Sequence, residues 1–230
     1  MLCDHYRKGG EMPEAFTVKD CALIALGTGE RAQNLRELRD RLLRVHSGCI
    51  YHHFWGGLLK PRFEEPEFQN DFAAWVYHGL RDAGLAERMA LIDPGEFSEI
   101  EDLRRELVEV IEERLSESEF VPWARIDQQF YFIRSQIVVF DTDLRPQDPE
   151  SLHLLIPKLS VGSVFYHFID ARRRTSSKRD DFSEWLLGLG ESCLPLVEGL
   201  AKIDPYFSSL SELRTEIAQV FAQCTEQKGG

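Results

Sequence analysis

Long apolar runs are missing from these 230 residues, and no stretch approaches the roughly 20 residues that a membrane-spanning helix needs. Cysteine is sparse and scattered, with Cys3, Cys21, Cys49, Cys193 and Cys224 forming no Cys-x-x-Cys pair. That pattern excludes a disulfide framework and a zinc ribbon, and it suits a reduced, cytoplasmic compartment. Positive charge is in deficit: 27 Lys and Arg face 39 Asp and Glu, for a formal net charge of −12. Such a surface repels phosphate backbones and anionic lipid, so neither nucleic acid nor a membrane is expected as a partner. Met1 to Pro13 lack the apolar segment of a signal peptide, and residues 1–15 read as a flexible N-terminal segment.

Common catalytic signatures are missing too. The chain has no Gly-x-x-x-x-Gly-Lys-[Ser/Thr], no Gly-x-Gly-x-x-Gly, no Gly-x-Ser-x-Gly and no His-Glu-x-x-His. The usual nucleotide, hydrolase and zinc-peptidase chemistries therefore have no foothold, and neither a cofactor nor a metal is expected.

What the sequence does hold is self-similarity. A shift of 114 places Phe16 on Phe130, Thr28 on Thr142, Arg31 on Arg145, Leu38 on Leu152, Gly48 on Gly162 and His53 on His167. The first half then carries a longer loop, Gly56 to Asn70, after which the shift is 110 and Asp71, Phe72 and Trp75 meet Asp181, Phe182 and Trp185. Ile92-Asp93-Pro94 meets Ile203-Asp204-Pro205, and Phe97, Ser98 and Leu103 meet Phe207, Ser208 and Leu213. An internal duplication is the economical reading, with units at 16–125 and 126–226 forming one compact domain of two pseudo-symmetric halves.

Each unit reads as a strand followed by helices, giving a mostly helical α+β fold. Phe130 to Phe140 is dense in aromatic and β-branched residues and predicts a strand bent at the polar Arg134-Ser135, with Phe16 to Leu26 as its twin. Asn34-x-x-Glu37 and Asp148-Pro149 open the next helix in each unit. Gly48 and Gly162 punctuate the chain before a second helix carrying Ile50, His53, Phe54 and Gly57 on one face. Asp71 and Asp181 are N-cap candidates for a third helix that buries Phe72 and Trp75 or their twins. A short helix precedes each Asp-Pro, and a last amphipathic helix follows Ser98 or Ser208.

Few residues suggest chemistry. His53 and His167 are the only histidines matched between the units, which makes them candidates for acid-base work, although an apolar helix face also suits a packed structural His. Thr28 with Arg31, and Thr142 with Arg145, fall where a strand-to-helix turn could hold an anion beside helix amides. Tyr51, in the aromatic-His run, is a further ligand-binding candidate. Arg172 and Arg173 begin the one basic cluster, running to Arg179, and suit an anionic partner or simply a solvated helix end.

The run Gly48 to Phe54, the Asp-Phe-x-x-Trp segments at 71–75 and 181–185, and Phe132 to Phe140 resemble a family of uncharacterised bacterial proteins catalogued as domain of unknown function 5752. The resemblance spans Phe16 onward and implies no activity, cofactor or catalytic residue. The residues themselves support a non-catalytic cytosolic binding or regulatory protein, acting on an unknown protein or a small anionic metabolite, and compatible with a homodimer. The alternative is a small enzyme acting on a phosphorylated or carboxylated metabolite, with the paired His and Arg residues as its machinery.

Overall fold

The computed structural model describes residues 14–60, 67–117, 120–206 and 209–226. Most of the expected N-terminal segment, part of the long loop, and Phe207 and Ser208 lie outside the described residues.

A two-stranded antiparallel ribbon joins β1 (Lys19–Ala32) to β2 (Phe130–Asp141). Its register runs unbroken from Lys19 opposite Asp141 to Gly27 opposite Ile133, slips between Gly27 and Arg31, and resumes with Arg31 opposite Tyr131. Arg134 and Ser135, where a bend is expected, both stay in the ladder, and the register irregularity falls at Gly27 to Arg31. Gly29 supplies the positive φ of 78° that this bulge needs, and Asp143, just past β2, adopts 60°. The first strand is also displaced from the expected Phe16 to Leu26: the segment before it continues the pairing through Phe16 N–H to the Pro146 carbonyl at 3.0 Å, outside the assigned strand.

Helices follow each strand. After β1 come α1 (Leu35–Leu42), α2 (Ser47–Tyr51), α3 (Asp71–Leu80), α4 (Ala83–Ala90) and α5 (Ile100–Glu117). After β2 come α6 (Pro149–Leu155), α7 (Val161–Val164), α8 (Ala171–Arg174), α9 (Asp181–Leu189), α10 (Leu194–Leu200) and α11 (Leu210–Glu226). No described helix is long and apolar enough to cross a membrane. The protein is thus mostly helical α+β around one two-stranded sheet.

Local chemistry sets the helix starts. Asn34 accepts the Glu37 amide at 2.9 Å to open α1, while Asp148 and Ser151 form a reciprocal capping box for α6. For α3 and α9 the caps are Asn70 and Asp180, one residue earlier than expected. Asp71 and Asp181 are instead the first helical residues, which leaves their carboxylates available for another partner.

Two segments form the centre of the molecule. Every residue from Gly48 to Gly56 and from Gly162 to Ala171 is buried, so these helices are enclosed on all sides rather than amphipathic, and their few polar side chains need partners inside the protein. Both widen into a π turn, His52–Gly56 and Phe165–Asp170. Gly48 and Gly162 lie inside α2 and α7 rather than before them, and their role is close approach to the ribbon. A Cβ on Gly48 would meet the Ser135 carbonyl at 2.8 Å, and one on Gly162 would collide with Asp20 and the Cys21 carbonyl. Phe165 and Phe168 of the second segment, and Phe72, Phe132 and Phe182 from other elements, are all fully buried; each stabilises the fold by about 1.5–3 kcal/mol.

Candidate functional site

The matched histidines sit on the two π turns and are locked. His53 Nδ1 lies 2.8 Å from Asp71 Oδ2, and its Nε2 accepts the Ile133 amide of β2 at 3.2 Å. His167 repeats this with Asp181 at 2.7 Å and the Lys19 amide of β1 at 2.8 Å. A backbone amide only donates, so each Nε2 must be the acceptor, and the ring proton lies on Nδ1, facing the carboxylate. Both ring nitrogens of both histidines are thereby used, and the rings, 4% and 2% exposed, are walled by Phe130 and Phe72 or by Phe16 and Phe182. No lone pair faces a cleft where a substrate proton would be taken.

His52, unmatched in the second half, has a different environment. Its Nδ1 pairs with Ser135 Oγ at 2.7 Å, while Nε2 is buried without a hydrogen-bond partner. Burial foremost, then the neighbouring His53, lowers its pKa to about 4 and keeps it neutral. One candidate ligand atom from each of His52, His53 and Asp71 lies within 4.8 Å of the others, a grouping the sequence did not suggest. These residues fit a cation poorly. For His53 Nδ1 to ligate, its proton would have to move to Nε2, where the Ile133 N–H already points.

The other sequence candidates scatter. Thr28 and Thr142 donate their hydroxyls to the Phe132 and Val18 carbonyls at 2.6 and 2.7 Å, bracing the ribbon. Arg31 is exposed on β1 rather than at a strand-to-helix turn, and Arg145 pairs with Asp141 at 2.5 Å. The side-chain caps of α1 and α6 already hold amides of those helix starts, so neither Thr-Arg pair assembles the expected anion turn. Tyr51 is buried, donates to Asp170 Oδ1 at 3.0 Å and stacks on Trp55; burial and the Asp170 charge hold its hydroxyl protonated.

Asp170 is the residue that sequence reasoning missed. Its carboxylate, 1% exposed, binds Arg173 at 3.2 Å and Arg174 at 2.8 Å, while Arg174 also reaches Asp181 at 2.9 Å and covers the Tyr166 ring at 4.0 Å. Arg172 lies 4.6 Å over Phe168. The basic cluster is thus largely tied to its own chain. Only the three-residue and four-residue spacing from Asp170 to Arg173 and Arg174 could have signalled it.

A cavity of about 540 Å³ lies between β1, the end of α1, the start of α2 and Arg134 of β2. Arg41, Arg44 and Arg134 line it with Thr28, Glu30 and His46. Arg41 Nε lies 2.7 Å from Glu30 Oε2, an ion pair in which the N–H is not aimed at the oxygen, and Arg134 Nε is buried with no hydrogen-bond partner. Cys49 also borders the cavity; burial raises its pKa, partly offset by Arg104 and Arg134. Of the sequence candidates only Thr28 is in this wall.

A helical α+β protein with two buried histidines hydrogen-bonded to a largely exposed two-stranded ribbon, and with an arginine-lined cavity, is the class these features define. The chain belongs to a family of unknown function (DUF5752), whose model matches residues 13–222. Among solved structures it is similar to OrfY from Thermoproteus tenax, at 27% identity and a TM-score of 0.76, covering 93% of this chain and 98% of that one. That neighbour is archaeal, so the architecture extends beyond bacteria. No curated protein matches the chain at a significant level.

Proposed function

We propose that the chain is a non-catalytic, cytosolic binding protein that holds a small anion without converting it. The convergence of Arg41, Arg44 and Arg134 on one cavity in a chain of net charge −12 carries this reading. Locked histidines count against the alternative of a small enzyme, since the groups that would move protons are committed to the fold.

The same proposal holds that the two halves are copies of one unit. Ribbon pairs support it: moving 114 residues turns Lys19 opposite Asp141 into Ile133 opposite Gly27. Side-chain bonds follow the same rule, since Trp75 donates to the Gln128 carbonyl at 2.7 Å and Trp185 to the Glu14 carbonyl at 2.8 Å.

The test is to incubate the chain with a panel of small carboxylates and organic phosphates and follow both partners by NMR. Expected is saturable perturbation of arginine signals with the small molecules unchanged, in the wild type and in whatever folded fraction His53→Gln/His167→Gln retains. Conversion of any panel member by the wild type, abolished in that double variant, would restore the enzyme reading.

A further inference from the structure

We infer that the arginine-lined cavity takes an organic phosphate monoester in its dianionic form. This deepens the anion-binding reading and rests on it. Charge fixes the first requirement. Three guanidinium groups and one carboxylate, Glu30, leave two formal positive charges in excess at the cavity wall. The Cys49 thiol, its pKa raised by burial, adds no negative charge.

Hydrogen-bonding polarity fixes the second. Guanidinium groups only donate. His46 Nδ1 accepts the Gly48 amide at 2.9 Å, which places the proton of the neutral ring on Nε2 as a further donor. The Thr28 hydroxyl is committed, donating to Phe132 and accepting from the Glu30 amide. Apart from Glu30, the wall therefore offers donors to a ligand, and the buried Nε of Arg134 has no acceptor of its own. A phosphomonoester brings a charge of roughly −1.5 to −2 and three acceptor oxygens, whereas a carboxylate brings one charge and two oxygens.

Size fixes the third. A cavity of about 540 Å³ is within the range of sites for small organic ligands and far exceeds a bare tetrahedral ion. The phosphate thus faces the arginines while an attached organic body fills the remainder, where Glu30 is the acceptor for a hydroxyl. Ligand contact would also join the two halves, since Arg41 and Arg44 come from the first and Arg134 from β2.

Calorimetric titration of the full chain at low ionic strength, with glycerol phosphate, inorganic phosphate, sulfate and malonate as probes, tests this. Glycerol phosphate is expected to bind at least about tenfold more tightly than malonate, and to weaken about tenfold from pH 7.5 to 5 as its second proton is taken up. Sulfate, a dianion throughout, carries whatever the protein itself contributes to the pH dependence through Glu30, His46 or Cys49, so the tenfold loss is read as the fall of glycerol phosphate affinity relative to sulfate. Arg134→Met and Arg41→Met should each weaken glycerol phosphate about tenfold or more, with Arg134→Lys intermediate and Arg145→Met unchanged, circular dichroism verifying folding of each. Malonate binding as well as glycerol phosphate would overturn the phosphate assignment while leaving anion binding standing. Binding undiminished in both methionine variants would place the site elsewhere and overturn it as well. Silence of the wild type towards every probe would sink both readings.

Discussion

The two ring-nitrogen partners of His53 and of His167 correspond one for one, a carboxylate and a ribbon amide in each case, whereas the arginine cavity and the place 114 residues on do not. Advancing 114 residues replaces Arg41 by Leu155, Arg44 by Lys158, His46 by Ser160 and Cys49 by Ser163, and the position corresponding to Arg134 is Asp20. Agreement accompanies burial and hydrogen bonds that the fold cannot do without; divergence accompanies the arginine-lined cavity. In a chain without recognisable catalytic motifs, the proposed duplication makes the places where the two units differ those where a ligand is best sought.

Glycine substitution strikes that comparison hardest. Gly162→Ala drives a methyl into backbone and the Asp20 carboxylate, while the same change at Gly48 meets the Ser135 carbonyl less closely. We expect urea unfolding to report about 3 kcal/mol or more lost at Gly162 and about 1–2 kcal/mol at Gly48. Equal, small losses would mean that the two helices do not approach the ribbon as closely as described.

Asp170 breaks the agreement in the opposite direction, because Gly56 holds its place in the first half. Asp170→Asn keeps the shape but removes a buried charge shared by Arg173, Arg174 and Tyr51. The arginines are partly exposed and can rehydrate, so the expected loss is about 2–3 kcal/mol. A chain unaffected in chemical denaturation would mean that Tyr51 and α8 are held together without this carboxylate.

His52 supplies an acid-sensitive difference, since Tyr166 replaces it in the second half. Unfolded, the imidazole protonates near 6.5; folded, it resists until about 4. The unfolded state therefore gains the proton first, and stability contributed by neutral His52 is full above 6.5 and lost as pH falls towards 4. The whole shift would correspond to about 3 kcal/mol, and roughly half is expected after local hydration and relaxation. His52→Gln should flatten that part of the pH-stability profile; an unchanged slope would assign the acid sensitivity to another group.

Much of the fold was legible because it rests on local chemistry. The Asn34 and Asp148 caps, the short helices before each Asp-Pro and the aromatic strand at 130–140 all follow from side chains near in sequence. The π turns were not legible, since one extra residue per turn leaves no mark in an apolar run such as Ile50 to Trp55. Nor were the true partners of Asp71 and Asp181: a carboxylate at a helix start suits capping equally well, and only the fold brings His53 and His167 to it. The cavity escaped because nothing local sets Arg41 and Arg44 apart from other charges at the end of a helix, and Arg134 entered only as the place of an expected bend in β2. Their convergence depends on ribbon pairing with residues more than 90 positions away in the chain.

The smallest expected effect is also the closest test of equivalence. Thr28→Val and Thr142→Val each delete a hydroxyl that donates to a carbonyl, of Phe132 or of Val18, and accepts the amide two residues on, of Glu30 or of Leu144, without changing side-chain volume much. Each should cost about 1 kcal/mol, and the two should agree within about 0.5 kcal/mol in parallel denaturation curves. Thr28 also borders the arginine cavity, but its hydroxyl is committed to the ribbon, so affinity for glycerol phosphate should change less than about threefold in either variant. A selective loss of affinity in Thr28→Val, at equal stability, would show that the hydroxyl turns from Phe132 to the ligand, and that the ribbon end of the first half moves when the cavity fills.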